Sequence, residues 1–439
     1  MIPVFQLSSN QTEIEQLLRK LRLDPVDLAL NLGERAKQAE DVQAILADVA
    51  KRGDEAVADL ARRFDDPAFT ANQIRITQEQ MREGARRVPA DQLEAIRHAI
   101  AQVREYQTHM MPAPKAPLQR EGVELGMRFT PMDSVGLHVP GGKAAYPSSL
   151  IHLAVPAQVA GVKQIVVCTP PSKFGRSDLV LATYLELGIT QAFRAGGPAA
   201  IAAMAFGTQA IPRVDKIVGP GNVYVQLAKR ALAGCVGIDG FLGPSEILVL
   251  ADETGHADFI ASDLIAQAEH NPGSCFLLTT SQALADAVVK ELQRQTALLG
   301  RSAAITTALR DRSAIIVDAS MDRLIDLANR FAAEHVNLQT RDDDAILSKL
   351  THAGAVFVGP YSPVAAGDYV AGPSHCLPTN TTARFTSGIS VYEFLRRASV
   401  ERYTEQGLAR DAKATVTLAN AEHLDGHAAS VTIRAASRG

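Results

Sequence analysis

Apolar positions recur at helical spacing through Asp41 to Phe64 and again through Gln78 to Gln107, and Pro112 to Pro117 closes the region. Such spacing marks amphipathic helices, so the first hundred or so residues are predicted to be helical. From about Val135 the texture changes to short β-branched runs that end in Gly/Pro turns and alternate with Ala-rich helical stretches. Gln164-Ile-Val-Val-Cys-Thr-Pro, Ala192-Phe-Arg-Ala-Gly-Gly and Lys216-Ile-Val-Gly-Pro-Gly form one group. Glu246-Ile-Leu-Val-Leu-Ala-Asp, Cys275-Phe-Leu-Leu-Thr-Thr, Ser313-Ala-Ile-Ile-Val-Asp and Ala355-Val-Phe-Val-Gly-Pro form another. Strands alternating with helices predict βα units on largely parallel sheets. The two groups meet near Gly243-Pro244-Ser245, which predicts two α/β domains. The tail after Gly388 is predicted to be helical, with a final apolar alternation at Val431-Thr-Ile-Arg. No internal repeat or low-complexity segment is visible.

Length agrees with two cores, because 439 residues exceed the roughly 250–300 at which a single core stops growing. A net charge of −4 with mixed signs offers nothing to a nucleic acid or polyanion. Cys168, Cys235, Cys275 and Cys376 lie far apart with no Cys-x-x-Cys pair. That spacing argues against both a disulfide framework and a thiolate zinc site. The opening residues lack the basic flank and apolar core of a signal peptide, and no run of about 18 apolar residues is present to span a bilayer. A cytoplasmic enzyme with no membrane partner is expected.

Chemistry enters at Gln267-Ala-Glu-His270-Asn-Pro, which ends the apolar-periodic stretch from Asp258. Three-residue spacing on a helix puts Gln267 and His270 on one face, where an amide oxygen and an imidazole nitrogen can converge as half of a metal site. The last third of the chain offers Glu334-His335, Asp368, His375 and His427 for the other half. A helix end with solvated polar groups is the plainer alternative. Glu334-His335 joins a helix, Met321 to Ala333, to the strand-like Val336-Asn-Leu-Gln, and pairs two proton-transfer groups of different basicity. Gly136-Leu-His-Val-Pro-Gly141-Gly142-Lys143 and Gly219-Pro-Gly221-Asn222 follow strand-like runs, where glycines let backbone amides approach a phosphate or carboxylate. Neither fits a dinucleotide or P-loop fingerprint. His98, His109, His152, His256 and His352 stand in no motif and read as structural or solvated.

The order and wording of these segments resemble the histidinol dehydrogenase family, whose zinc- and NAD-dependent members end histidine biosynthesis. The resemblance rests on Gly136-Leu-His-Val-Pro-Gly-Gly, Val214-Asp-Lys-Ile-Val-Gly-Pro-Gly-Asn222, Gly243-Pro-Ser245-Glu-Ile, Gln267-Ala-Glu-His270, Glu334-His335, Gly367-Asp368-Tyr-Val-Ala-Gly-Pro-Ser-His375 and Glu422 with His427. It implies one zinc per subunit held by Gln267, His270, Asp368 and His427. It assigns activation of water to Glu334 and the other proton transfers to His335. Substrate contacts fall to Ser245, His375 and Glu422, joined by Gln267, His270, His335, Asp368 and His427. Asn222, with the positions of His138 and Ala199, belongs to the NAD site. It further implies a homodimer whose C-terminal segments complete each other's sites.

The expected architecture is therefore α/β, with two Rossmann-like domains on parallel sheets, a helical N-terminal segment and a helical C-terminal tail. The expected divisions are 1–32 for the N-terminal segment, 33–137 with 245–388 for the metal and catalytic domain, 138–244 for the cofactor-side domain and 389–439 for the tail. Two departures from the family pattern touch the cofactor site: His138 replaces the usual aromatic Tyr, and Gly196-Gly-Pro198-Ala199-Ala200 lacks the usual Gln. Ile238-Asp239-Gly240-Phe241-Leu242, beside the substrate pocket, is also unusual. They leave room for an alternative substrate, such as a sulfonated diol, oxidised by the same machinery. A zinc-binding structural or regulatory protein without activity is the alternative of another class, and retention of Glu334 and His335 weighs against it.

Overall fold

The computed structural model describes residues 2–22, 25–142, 144–240, 243, 245–270 and 273–436. Glu246–Ala251, Ser274–Thr279, Ala314–Val317 and His335–Gln339 are buried at every position. Such strands need cover on both faces, and alternate residues do enter two different cores. Ile247, Val249, Cys275 and Leu277 pack into one, and Leu248, Leu250, Phe276 and Leu278 into the other. In space the sheet runs Val4–Gln6, Ala314–Val317, Ser274–Thr279, Glu246–Ala251, His335–Gln339, Ala355–Val358, with every neighbouring pair parallel.

A second six-stranded sheet runs Arg75–Ile76, Gln191–Arg194, Gln164–Thr169, Ser134–His138, Lys216–Val218, Gly237–Ile238. Its strands are parallel except at one edge, where Arg75–Ile76 lies antiparallel to Gln191–Arg194. Counted in chain order, both sheets read first, fourth, third, second, fifth, sixth. The fold thus repeats a topology although no repeat is visible in the sequence, because what recurs is burial and strand spacing rather than residue identity.

One expected division is corrected, and two segments gain a strand beside their expected helices. Residues 33–137 do not join the domain of 245–388. Val42, Leu46 and Val49 of the helix Glu34–Arg52 share a core with Val166, Phe193 and Ile217. Ile96, Ala99 and Val103 of the helix Ala90–His109 pack with Val135, Leu137 and Val167. An apolar stripe specifies that a helix is covered on one side, not which sheet covers it. The N-terminal segment is not purely helical: Val4–Gln6 is an edge strand, and the helix Gln11–Leu21 then buries Ile14 and Leu18 against the first sheet. The tail begins with the strand Leu395–Tyr403, antiparallel to Val123–Pro131, which pairs in turn with Leu118–Arg120. The helices Glu405–Ala421 and Asp425–Ala436 follow. The four cysteines are free thiols, and no described helix is long and apolar enough to cross a membrane.

Candidate active site

The helix Met321–Phe331 stops at Ala332, whose backbone is left-handed (φ 45°). That abrupt end delivers Glu334 and His335 to the amino end of a buried strand, each 4% exposed. Beside them the neighbouring strand begins with Glu246, directly after Ser245. Glu334 Oε2 accepts the Glu246 backbone N–H at 3.2 Å, and the Ser245 side chain bonds to it as well. His335 Nδ1 lies 3.2 Å from the Glu246 carbonyl oxygen, which can only accept, so Nδ1 carries the proton and Nε2 presents a lone pair. Nε2 is buried without a hydrogen-bond partner, 3.9 Å from Asp368 Oδ1.

Loss of water dominates the electrostatics here. Burial lowers His335 to about 4 against the opposing pull of Asp368, so the ring is neutral at ordinary pH. Burial, then the adjacent Glu246, holds the Glu334 carboxyl well above the usual range. Burial pushes Glu246 itself up to about 8, opposed by backbone donors that include the Asn380 N–H at 2.9 Å.

Further donors gather around this pair. Gln267, 2% exposed, ends the helix Ala257–Ala268, and its Nε2 is 3.5 Å from Nδ1 of the exposed His270. His270 lies close enough to disfavour the charged forms of both His335 and His375. Asp368, on the short helix Val364–Tyr369, accepts His375 Nδ1–H on its backbone oxygen at 2.8 Å. The other nitrogen of His375 meets Ser149 Oγ at 3.1 Å, and its ring stacks on His152 at 4.6 Å.

Gln267, His270, Glu334, His335, Asp368, His375 and Ser245 therefore converge. Glu422 and His427 do not: both are exposed, on the tail helices and the turn between them. Among the described residues no three His, Cys, Asp or Glu side chains group as a metal site. The single chain supplies His270, Asp368 and the amide of Gln267, a nitrogen–oxygen donor set that suits zinc and is one ligand short. The orphaned His335 Nε2, 3.9 Å from Asp368 Oδ1, is a buried polar atom that such a centre and its substrate would satisfy.

Three residues packed into this cluster escaped the sequence reading. Glu246 is one, and its signal is an acid directly ahead of the apolar run Ile247-Leu-Val-Leu-Ala. His152, read as structural, sits mid-way along the buried helix Pro147–Ala160, where an imidazole among Leu150, Ile151 and Leu153 has little reason to be unless it faces a site. Ser149, one turn earlier, carries no such mark.

A cleft of about 1490 Å³ opens between the two sheets, larger than the pockets of most small ligands and roomy enough for a dinucleotide. Ser245, His270 and Asn380 line it on one side. Turns after the strands of the second sheet line it on the other, through Gly141, Gly142, Pro170, Gly196, Gly197 and Pro220. A Cβ on Gly196 would stand 2.6 Å from Pro170 Cβ, so the turns pack closely beneath the cleft, whereas at Gly142 and Gly197 an added Cβ would meet nothing within 4 Å. Open space beside the backbone at those two points is what close approach of a phosphate requires.

Asn222 caps the helix Val223–Leu232, its Oδ1 accepting from Tyr224 N at 3.1 Å and Val225 N at 3.2 Å. His138 Nδ1 sits 2.8 Å from Pro220 O while its Nε2 is buried without a partner, and burial lowers the ring to about 4. Ala199, 4% exposed, offers only a methyl group in the first turn of Gly197–Phe206. A wholly buried ion pair, Lys229 with Asp239, braces the Gly219 turn: Lys229 donates to Gly219 O at 3.1 Å and Asp239 accepts from Gly219 N at 2.6 Å. Phe241, Leu242 and Pro244 lie outside the described residues.

A family model for histidinol dehydrogenase matches residues 31–435. The chain is similar to the histidinol dehydrogenase of Gluconobacter oxydans (strain 621H), 44% identical over 408 residues that cover 93% of this chain and 95% of that protein. It is equally similar to that of Geobacillus kaustophilus (strain HTA426), 44% identical over 400 residues, covering 91% and 94%. The crystal structure of histidinol dehydrogenase from Elizabethkingia anophelis superposes with a TM-score of 0.92 at 32% identity, over 100% of this chain and 98% of that one. Converging acid, imidazole and carboxylate groups beside a dinucleotide-sized cleft agree with these matches, and the chain belongs to the histidinol dehydrogenase family, as a dehydrogenase.

Proposed function

We propose that this protein oxidises L-histidinol to L-histidine through bound histidinaldehyde, consuming two NAD, as the last step of histidine biosynthesis. The observation that carries the reading is the neutral His335, held by the Glu246 carbonyl so that its lone pair faces Asp368, with the Glu334 carboxyl beside it. Gln267, His270 and Asp368 would hold zinc together with His427 of the partner subunit in a homodimer. When bound, zinc would supply a fixed positive charge for the substrate's amine and imidazole, and NAD would take up hydride.

His335 Nε2 takes the alcohol proton in the first oxidation; its low basicity in the buried site keeps it in the accepting form. Glu334, in its ionised form, then takes a proton from the water that adds to the aldehyde, and the raised basicity that burial gives it strengthens that pull; the second hydride leaves from the hydrated carbon to yield the carboxylate. Glu334 and His335 stand side by side with Nδ1 and Oε2 3.6 Å apart, so both proton transfers occur at one carbon without its release. His375, fixed by Asp368 O, Ser149 and the His152 ring, forms a rigid wall for the substrate, joined by Ser245 and by Glu422 of the partner subunit.

The test is the count of NADH released per L-histidinol by zinc-loaded protein, with a sulfonated diol in parallel. Two NADH with histidine as product are expected. Turnover of the diol and not of histidinol would reject the substrate and keep the machinery. In the same preparation His427→Ala should lose its zinc, and full metal occupancy would remove that residue from the ligand set.

A further inference from the structure

The cleft carries a polar feature that the reaction leaves unused. Arg35, in the first turn of Glu34–Arg52, and Arg230, in the last turn of Val223–Leu232, both line it. Each guanidinium keeps its Nη1 shut from water with no hydrogen-bond partner. Arg230 donates through Nη2 to Asn31 Oδ1, and neither arginine has an ion pair among the described residues. Burial and then the nearness of Arg35 lower the basicity of Arg230, so the two cations face the same space and repel. The acids of the cleft do not relieve them. Asp41 pairs with Lys37 at 3.4 Å and Asp48 with Arg52 at 2.7 Å, while burial raises Asp65.

Two like charges with desolvated, unmade hydrogen bonds are costly to keep unless an anion completes them. Guanidinium forks match the paired oxygens of a phosphate. Arg230 also lies two turns beyond Asn222 on one helix, on the order of 12 Å along its axis, within the span of an extended dinucleotide.

We propose that Arg35 and Arg230 are a phosphate-binding pair that grips the dinucleotide, at its diphosphate or at a 2′-phosphate on the adenosine ribose. The inference rests on the reading of the cleft as the cofactor site. Calorimetric titration of the full-length protein with NAD, NADP and inorganic pyrophosphate, in wild type, Arg35→Gln and Arg230→Gln, tests it. Histidinol binding in each variant reports an intact fold. Each substitution should abolish pyrophosphate binding and weaken the dinucleotide roughly ten- to a hundredfold, the range for a lost charged hydrogen bond. Equal losses for NAD and NADP assign the pair to the diphosphate, and a wild-type preference for NADP erased in both variants assigns it to the 2′-phosphate. Pyrophosphate binding that the arginines control, without any NAD or NADP binding, would keep the anion site and reject the cleft as the cofactor site. Unchanged affinity for all three ligands in both variants would overturn the proposal.

Discussion

The two six-stranded sheets share one strand order and use opposite ends of it. In the sheet of 134–218 the cleft is lined from the carboxyl ends of the strands, where helices begin. Helix amino ends present free N–H groups and partial positive charge, which suits an anionic dinucleotide. In the sheet of 246–358 the clustered acid and imidazole groups sit at the amino ends, at Glu246, Glu334 and His335, where helices finish. Gln267 closes one such helix, and Glu334 comes three residues after the end of another. Helix carboxyl ends favour positive charge, which suits a metal ion and an amine. A repeated scaffold therefore yields two different sites because its halves meet carboxyl edge to amino edge.

The largest test of this division is chemical. Glu334→Gln should slow conversion of supplied histidinaldehyde to histidine by about 10²- to 10⁴-fold, the usual contribution of a positioned base, with a smaller loss in alcohol oxidation and unchanged NAD affinity. Equal losses in both oxidations, read by stopped-flow absorbance, would reject separate roles for Glu334 and His335. On the cofactor side the comparable blow is structural. Lys229→Met leaves Asp239 charged and wholly buried, and removing one partner of a buried pair costs about 3–5 kcal/mol. Denaturant unfolding should show that loss, and the double variant with Asp239→Asn should recover much of it; no recovery would mean the pair is not what braces the Gly219 turn.

Protons offer a third contrast, between His138 of one sheet and Glu246 of the other, whose shifts are opposite in sign. His138 titrates near 4 when folded against 6.5 when unfolded, so above 6.5 neither state binds a proton there. As the pH falls from 6.5 toward 4 the unfolded chain takes up a proton that the folded one refuses, and stability drops by about 3 kcal/mol. Glu246 keeps its proton to about 8 in the fold but loses it near 4.5 when unfolded, so its stabilising effect is full below 4.5 and fades as the pH rises toward 8. Thermal unfolding from pH 4 to 8 should therefore flatten on the acid side in His138→Phe and on the alkaline side in Glu246→Gln. A variant that leaves its own side unchanged would deny that residue its part in the contrast.

Much of the α/β body was legible because its strands are buried on both faces and appear as unbroken apolar runs. Glu334-His335 was legible for a similar reason, as two ionisable groups placed where a helix turns into such a run. The strand Leu395–Tyr403 was not, since one intermediate residue precedes eight exposed ones and no alternation is written into Arg-Arg-Ala-Ser-Val-Glu-Arg. Glu246 was hidden in a strand, and the helices of 34–109 announced an apolar face without naming the sheet beneath it. Contacts that hold the site, such as Ser149 with His375 226 residues apart, exist only once the chain has folded.

The Lys229–Asp239 pair has a consequence for ionic strength. Ion pairs on the surface, such as Arg87 with Asp178, whose side chains are 56% and 38% exposed, fade as salt shortens the screening length toward about 3 Å at 1 M. Both side chains of Lys229 and Asp239 are 0% exposed, and mobile ions cannot come between them. The Gly219 turn should hold its shape in concentrated brine, where the outer shell of charges on this protein has already gone quiet.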